Sequence, residues 1–186
     1  MMTATLEGLV NQYDLRGQTL GDVALGAVIA HSRDWNLARE CVIGSGLSLR
    51  TPGVTLQRAC GTSLEAAIQI GNKIALGQIE SGIAGGTDSI SDAPVVYPDE
   101  YREILMKVHR ARSTMGRIKP LLKLKPGHFK PVFPGVEEPR TGMSMGQSME
   151  QTAQRMGVQR EHQDQLALAS HLKAAAAYDA GFYDDL

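Results

Sequence analysis

Hydrophobic positions recur along the chain with two spacings, which predict helices alternating with short buried strands. Apolar residues three and four positions apart indicate helices, whereas short apolar runs between turn residues are typical of buried strands. The predicted strands cover residues 23–29, 54–57 and 82–86, and the predicted helices cover residues 5–13, 36–44, 64–75, 99–111, 145–156 and 161–180. Helices that alternate with apolar strands indicate an α/β layered fold around a buried sheet.

The amino-acid composition of the chain changes after Asp92. Residues 120–139 are rich in proline, glycine and lysine, and we expect them to be irregular. Two predicted helices follow, with Gly181 placed to end the second. The pattern therefore predicts an α/β core over residues 1–92 and part of a domain inserted into that core over residues 93–186.

The net charge of −1 hides a local excess of positive charge. No acidic residue stands between Glu103 and Glu137, whereas lysines and arginines cluster over residues 107–130. The overall balance argues against a nucleic-acid-binding protein, whose footprint would be basic. The basic cluster is consistent with solvated lysines, with contact to an anionic ligand, or with contact to a membrane surface.

The two cysteines, Cys41 and Cys60, form neither a disulfide framework nor a metal-ligand spacing. We therefore predict no metal site and a reducing, cytoplasmic environment. The first residues lack the basic and apolar regions of a secretory signal. No apolar run approaches the roughly 20 residues that a membrane span requires.

Cys60 lies between a predicted strand and a predicted helix, in the stretch "RACGTSLEAA". A helix N-terminus stabilises a thiolate through its unpaired N–H groups, and the small residues that follow would let an acyl group approach. Free cysteine is also among the most buried residue types. The residues alone leave both interpretations open: a nucleophile, or a buried packing residue.

Four motifs in order resemble the thiolases, the acyl-CoA C-acyltransferases. "RACGTSLEAA" is similar to the family's stretch around its nucleophilic cysteine, and "AGGTDSISDAP" is similar to a glycine turn one helix later. "TGMSMGQSMEQTA" and "REHQDQLALASH" resemble two further helical blocks. The match is closest to the branch containing trifunctional-enzyme β-subunits and bacterial acetyl-CoA acetyltransferases.

The resemblance implies a thiolase-like fold with a mixed buried sheet, and an activity. Cys60 would take an acyl group as a thioester, either when CoA cleaves a 3-oxoacyl-CoA or when two acyl-CoAs condense. Gly85, Gly86 and Asp88 would form a structural turn near the site. Met145 and Gly146 would approach the acyl and pantetheine end of the substrate. The resemblance implies acyl-CoA and CoA as substrates, no permanently bound cofactor, and a homodimer or dimer of dimers in the full-length protein.

The sequence also departs from the family pattern. The family's G-H-P histidine and C-x-G-x-G cysteine contexts do not occur; His128 follows a glycine but lies in the lysine-rich stretch, and Cys41 is better explained by packing. We therefore expect a fragment, the N-terminal portion of a thiolase, that is inactive alone. One alternative is a non-catalytic module that binds acyl-CoA or assembles with a partner. A ketosynthase-like condensing enzyme is disfavoured by Gly61 and Thr62, because those enzymes place other small residues after the cysteine.

Overall fold

The computed structural model describes residues 1–31, 33–133 and 135–184. These residues divide into two compact units, one within residues 1–133 and one within residues 135–184. Each unit is described separately below. The predicted boundary at residue 92 concerns an inserted domain and stays a prediction.

The first unit is built on a three-stranded parallel sheet. Its strands are β1 (Asp22–Gly26), β2 (Gly53–Leu56) and β3 (Gly82–Gly86), in the spatial order β2-β1-β3. Val23 of β1 is opposite Gly53 on one side and Ile83 on the other. Because all strands run in one direction, the segments that leave their carboxyl ends meet along one edge of the sheet.

Helices cover both faces of this sheet, and β1 is buried along its whole length. Val23 and Leu25 point into a core with helices α1 (Met2–Gln12) and α2 (Leu37–Ser45). Ala24 points to the opposite face, where it packs with Ala66 and Ile70 of α3 (Thr62–Ala75). This alternation produces three layers, and it confirms the predicted α/β layered fold. Within the described strands, however, the sheet is parallel throughout and not mixed as the resemblance implies.

Local signals explain the bounds of α2. The Asn36 side chain accepts a hydrogen bond from the Arg39 N–H at 3.0 Å and caps the helix start. Gly46 ends the helix in the left-handed conformation, at φ 87°. An Asn cap and a left-handed glycine are ordinary helix boundaries, and for this reason the pattern predicted α2 to within one residue.

Five further helical segments lie in the described parts of the two units. The first unit continues with α4 (Asp99–Arg110), α5 (Thr114–Leu121) and a 3-10 helix, Pro126–Phe129. The second unit contains α6 (Met145–Met156) and α7 (Arg160–Asp179). Ser144 and Gln147 form a capping box at the start of α6: each side chain bonds the backbone N–H of the other. Gly157 ends α6 at φ 65°.

The structure corrects three details of the predicted pattern. The first strand ends at Gly26 rather than at residue 29. The N–H groups of Val28 and Ile29 donate hydrogen bonds to the Asp88 carboxylate instead of to a neighbouring strand. A helix, α5, occupies residues 114–121, where no element was predicted; the Ser113 side chain caps it by accepting from the Gly116 N–H. The third correction concerns the polar face of α3: the helical spacing after Cys60 predicts that Glu65, Gln69, Asn72 and Lys73 turn away from the core, but two of them make ion pairs with other segments.

Those two side chains, Glu65 and Lys73, form ion pairs with residues outside α3. Glu65 accepts a hydrogen bond from Arg58 at 2.6 Å, and its side chain is only 19% exposed. Lys73 pairs with Asp22, which is buried at the start of β1. The second Asp22 oxygen accepts a hydrogen bond from the Val23 N–H at 2.8 Å. The pair joins the last turn of α3 to the start of the central strand.

We predict that Lys73→Met destabilises the chain, because it leaves the Asp22 carboxylate buried without its cation. Lys73 is partly exposed, so the expected loss is about 1–2 kcal/mol in the free energy of unfolding. Urea denaturation followed by circular dichroism measures it.

Lys107→Met is the matched control. Lys107 pairs with Glu103 at 3.4 Å on the α4 surface, where both side chains are 65% exposed. Removing an exposed pair should change the free energy of unfolding by less than about 0.5 kcal/mol. Equal effects of the two substitutions would show that the Asp22 pair has no special role.

Candidate active site

Cys60 occupies the turn between β2 and α3, at the carboxyl edge of the sheet. Its side chain is exposed, whereas the Cys41 side chain is buried. The Gly61 N–H donates to the Arg58 carbonyl at 3.0 Å, and the Thr62 N–H donates to the Ala59 carbonyl at 3.2 Å. These two N–H groups are therefore engaged within the turn itself. A thiol at this position can react with a molecule that approaches from solvent.

The turn places one residue in an unfavourable backbone conformation. Ala59, directly before Cys60, has φ 42°, in the left-handed region that glycine normally occupies. For a residue with a Cβ, this backbone conformation costs about 1–2 kcal/mol of conformational free energy. The surrounding structure must therefore hold this turn in place.

Two glycines let the first turn of α3 lie against the ends of β1 and β3. A Cβ on Gly26 would lie 2.0 Å from the Thr62 methyl carbon. A Cβ on Gly86 would lie 2.5 Å from the Gly26 carbonyl oxygen and 2.7 Å from the Ser63 hydroxyl. Larger residues at either strand end would displace the helix start, and Cys60 with it.

Asp88 connects the segments that follow β1 and β3. One carboxylate oxygen accepts hydrogen bonds from the Val28 N–H at 3.0 Å and the Ile29 N–H at 2.7 Å. The other oxygen also lies 3.0 Å from the Val28 nitrogen. The backbone approaches further where the Thr87 N–H donates to the Gly26 carbonyl at 3.1 Å. Asp88 therefore joins two loops that are some 60 positions apart in the chain.

These parts surround one cavity of about 250 Å³. Its lining includes Cys60 and Ser63 from the start of α3, Gly86 and Asp88 from the end of β3, and Val28 from the loop after β1. The structure thus brings together three of the residues singled out in the sequence: Cys60, Gly86 and Asp88. Parallel strand pairing explains their meeting, since both strands deliver their following loops to the same edge.

The remaining predicted residues have other surroundings. Gly85 lies within β3, opposite Leu25 of β1. Met145 and Gly146 are the first residues of α6 in the second unit, and Gly146 lines a separate cavity in that unit with Met149 and Met156. The proposed substrate contacts of Met145 and Gly146 stay predictions.

Cys41 is the packing residue that the sequence suggested. It is 1% exposed in the core between α1 and α2, and burial raises the pKa of its thiol. The Thr3 hydroxyl donates to its sulfur at 3.5 Å, which lowers the pKa in part. A buried, protonated thiol is a poor nucleophile, so Cys60 is the reactive candidate.

A second polar link joins the same two loops on the outside. The Arg33 guanidinium donates to an Asp92 oxygen at 2.9 Å and lowers the pKa of that carboxyl. His31 lies 3.8 Å from the same oxygen. Both members of the Arg33–Asp92 pair are mostly exposed, so its contribution to stability is small.

Neither metal-binding clusters nor spanning helices occur in the part of the chain that the structure describes. No three His, Cys, Asp or Glu side chains within residues 1–31, 33–133 and 135–184 come together in a way that could hold a metal ion. Of the helices within those ranges, none combines the length and apolar character needed to cross a bilayer.

We predict that Asp88→Ala frees the loop after β1. Removing the carboxylate leaves the Val28 and Ile29 N–H groups without their acceptor, so both amides should exchange with solvent about tenfold faster. Hydrogen exchange followed by NMR measures this directly.

Asp92→Ala is the matched control, because Asp92 bonds the Arg33 side chain rather than these amides. It should leave the exchange of Val28 and Ile29 within about twofold of the original rate. Unchanged exchange in Asp88→Ala would contradict the bracing role of Asp88.

Comparison with known proteins identifies the family. Residues 1–186 match the family model described as "Thiolase, N-terminal domain". The chain is 36% identical over 177 residues to a 3-ketoacyl-CoA thiolase of Erwinia tasmaniensis, a match that covers 95% of this chain and 40% of that protein. It is 38% identical over 163 residues to a 3-ketoacyl-CoA thiolase of Pectobacterium carotovorum, covering 88% of this chain and 37% of the relative.

A solved structure gives the same result. The crystal structure of the Bacillus anthracis acetyl-CoA acetyltransferase matches with a TM-score of 0.70 and 26% identity, over 97% of this chain and 41% of the other. The chain thus spans about two fifths of the length of the relatives it matches. The matched family model, the curated relatives and the shared α/β architecture together show that the chain belongs to the thiolase family, in the region of its N-terminal domain.

Proposed function

We propose that the protein to which these residues belong is an acyl-CoA C-acyltransferase that acts through an acyl thioester on Cys60. The observation that carries the proposal is the position of the Cys60 thiol. It is exposed, it stands at the start of α3, and it lines a cavity at the carboxyl edge of the sheet. The names of the curated relatives, 3-ketoacyl-CoA thiolase, support the same reaction class.

The first step transfers an acyl group to the protein. The Cys60 sulfur, after losing its proton to a base, attacks the C3 carbonyl carbon of a 3-oxoacyl-CoA. A new carbon–sulfur bond forms, the C2–C3 bond breaks, and its electron pair leaves with the acetyl-CoA fragment. Protonation of that fragment at its α-carbon releases acetyl-CoA and leaves the acyl group on Cys60. Gly86 lines the same cavity as Cys60.

The second step returns the thiol. The sulfur of free CoA attacks the thioester carbonyl carbon, the bond to Cys60 breaks, and a shortened acyl-CoA leaves. In the reverse direction Cys60 is acylated by one acyl-CoA, releasing CoA. A second acyl-CoA then loses a proton from its α-carbon, that carbon attacks the thioester carbonyl carbon, and the bond to the Cys60 sulfur breaks. Dividing the transfer into two steps is the purpose of a covalent nucleophile. CoA and acyl-CoA act here as substrates, not as resident cofactors.

Three further assignments belong to this proposal. Met145 and Gly146, at the start of α6, contact the acyl and pantetheine end of the substrate. The full-length protein is a homodimer or a dimer of dimers. The basic segment 107–130 contacts anionic groups, whether CoA phosphates or lipid headgroups. Exposed apolar side chains among its charges, Met115, Leu122 and Phe129 among them, are compatible with the lipid alternative.

We predict that this chain is acylated at Cys60 when it is incubated with acetyl-CoA. Tryptic digestion separates the two cysteines, because Cys60 falls in peptide 59–73 and Cys41 in peptide 40–50. Mass spectrometry should find the acetyl group on peptide 59–73.

Two variants sharpen this test. Cys60→Ala should abolish the acylation, whereas Cys41→Ala should leave it unchanged, because Cys41 is buried in the core. An acetyl group that appears on lysines alone, or that persists in Cys60→Ala, would overturn the proposed nucleophile.

We further predict little or no sustained turnover by this chain alone. The histidine and second cysteine that the family resemblance implies do not occur in their expected contexts within residues 1–186. Without a base for the thiol and an acid for the α-carbon, the rate should fall at least about 100-fold below that of a full-length thiolase assayed in parallel. Thiolysis of acetoacetyl-CoA by the purified chain measures it, and rapid thiolysis that is lost in Cys60→Ala would contradict the prediction.

A further inference from the structure

We infer that Thr62 is a positioning residue for Cys60: two hydrogen bonds between its hydroxyl and the backbone, called the hydroxyl clip below, hold the turn that presents the thiol. The inference rests on the proposed function in one respect, namely that Cys60 is the nucleophile. The role of Thr62 itself follows from contacts within the turn. No motif in the sequence distinguishes this hydroxyl from that of its neighbour Ser63.

The Thr62 hydroxyl bonds the backbone on both sides of Ala59. It accepts a hydrogen bond from the Arg58 N–H at 2.8 Å and donates one to the Ala59 carbonyl at 2.6 Å. The Thr62 N–H reaches the same carbonyl at 3.2 Å. The side chain therefore closes a loop around the residue that directly precedes Cys60.

Thr62 is itself held in place. It is 5% exposed, and its methyl group packs where a Cβ on Gly26 would stand. A rotation that broke the hydroxyl contacts would also move this methyl group from its place against Gly26. The clip is thus anchored to the sheet on one side and to the turn on the other.

The turn requires such a clip because of Ala59. Ala59 has φ 42°, which residues with a Cβ seldom adopt without support from their surroundings. The bond to the Ala59 carbonyl fixes the peptide group that follows Ala59, and the bond from the Arg58 N–H fixes the peptide group that precedes Arg58. Without them the turn can relax toward negative φ, and that rotation would turn the Cys60 side chain away from the start of α3.

Two substitutions separate the hydroxyl from the methyl group. Thr62→Val keeps the shape and the packing on Gly26 but removes both hydroxyl bonds. Thr62→Ser keeps the hydroxyl and removes the methyl group. If Thr62 positions the turn through its hydroxyl, Thr62→Val should lower the reactivity of Cys60 and Thr62→Ser should preserve it. If Thr62 acts only by packing, the opposite is expected.

The experiment is the rate of Cys60 alkylation by iodoacetamide in the folded chain. After quenching and digestion, the labelled fraction of peptide 59–73 is quantified by mass spectrometry against peptide 40–50, which carries the buried Cys41. We expect Thr62→Val to react about two- to fivefold more slowly, because the turn then holds the thiol in its exposed position for a smaller share of the time. We expect Thr62→Ser to react within about twofold of the original rate, because both hydroxyl bonds remain.

Thr55→Val is a matched control for the loss of a hydroxyl. The Thr55 hydroxyl also makes two bonds, accepting from the Ala38 N–H at 3.0 Å and donating to the Asn36 side chain at 2.8 Å. It clips the start of α2 instead of the turn at Cys60. Its substitution should lower stability in a similar way while leaving the alkylation rate of Cys60 unchanged.

The outcomes divide clearly. The inference would be overturned if Cys60 in Thr62→Val were alkylated at the original rate or faster. It would also be overturned if Thr55→Val slowed the alkylation of Cys60 as much as Thr62→Val does. Should Thr62→Val fail to fold, Thr62→Ser decides: retained reactivity supports the hydroxyl clip, and a loss equal to or beyond that expected of Val overturns it. Alkylation needs no acyl-CoA, so a chain that is never acylated by acetyl-CoA would defeat the proposed function and leave this result standing.

Discussion

The candidate site depends on the parallel pairing of β1 with β3. That register places Gly26 opposite Gly86 and brings the loops beyond both strands to one edge of the sheet. The Asp88 carboxylate can then reach the backbone of Val28 and Ile29, although Asp88 is far away in the chain. A shift of one residue would turn Val23 and Leu25 out of their core, so burial of β1 maintains the register.

A second constraint acts on the same edge, where α3 begins. Small residues at the strand ends allow the first turn of α3 to approach closely, and this approach brings the Thr62 side chain against Gly26. The turn before the helix then carries Ala59 in a left-handed conformation and leaves Cys60 exposed. Backbone strain that surrounding hydrogen bonds support is common at functional sites. Tight packing and an accessible thiol therefore come from one arrangement of the chain.

Most helices and strands could be predicted from the pattern because their signals are local. The strand over residues 82–86 and the helix over residues 145–156 match the structure at both ends. The helix α5 was missed, since its sequence contains Pro120 and its cap, Ser113, stands in a basic stretch without clear periodicity. The first strand was predicted too long, because apolar character continues through Ile29. In the structure the N–H groups of Val28 and Ile29 donate to the Asp88 carboxylate and not to a neighbouring strand.

The sequence by itself determined the α/β layering, the order of the elements and the place of Cys60 between a strand and a helix. These features depend on residue spacing and on turn residues, which act over a few positions. Tertiary structure alone decided that Cys60 is exposed, that Asp88 braces a distant loop, and that Lys73 pairs with Asp22. Each of these contacts joins parts of the chain that meet only through strand register and helix packing, for which no local pattern of residues is a guide.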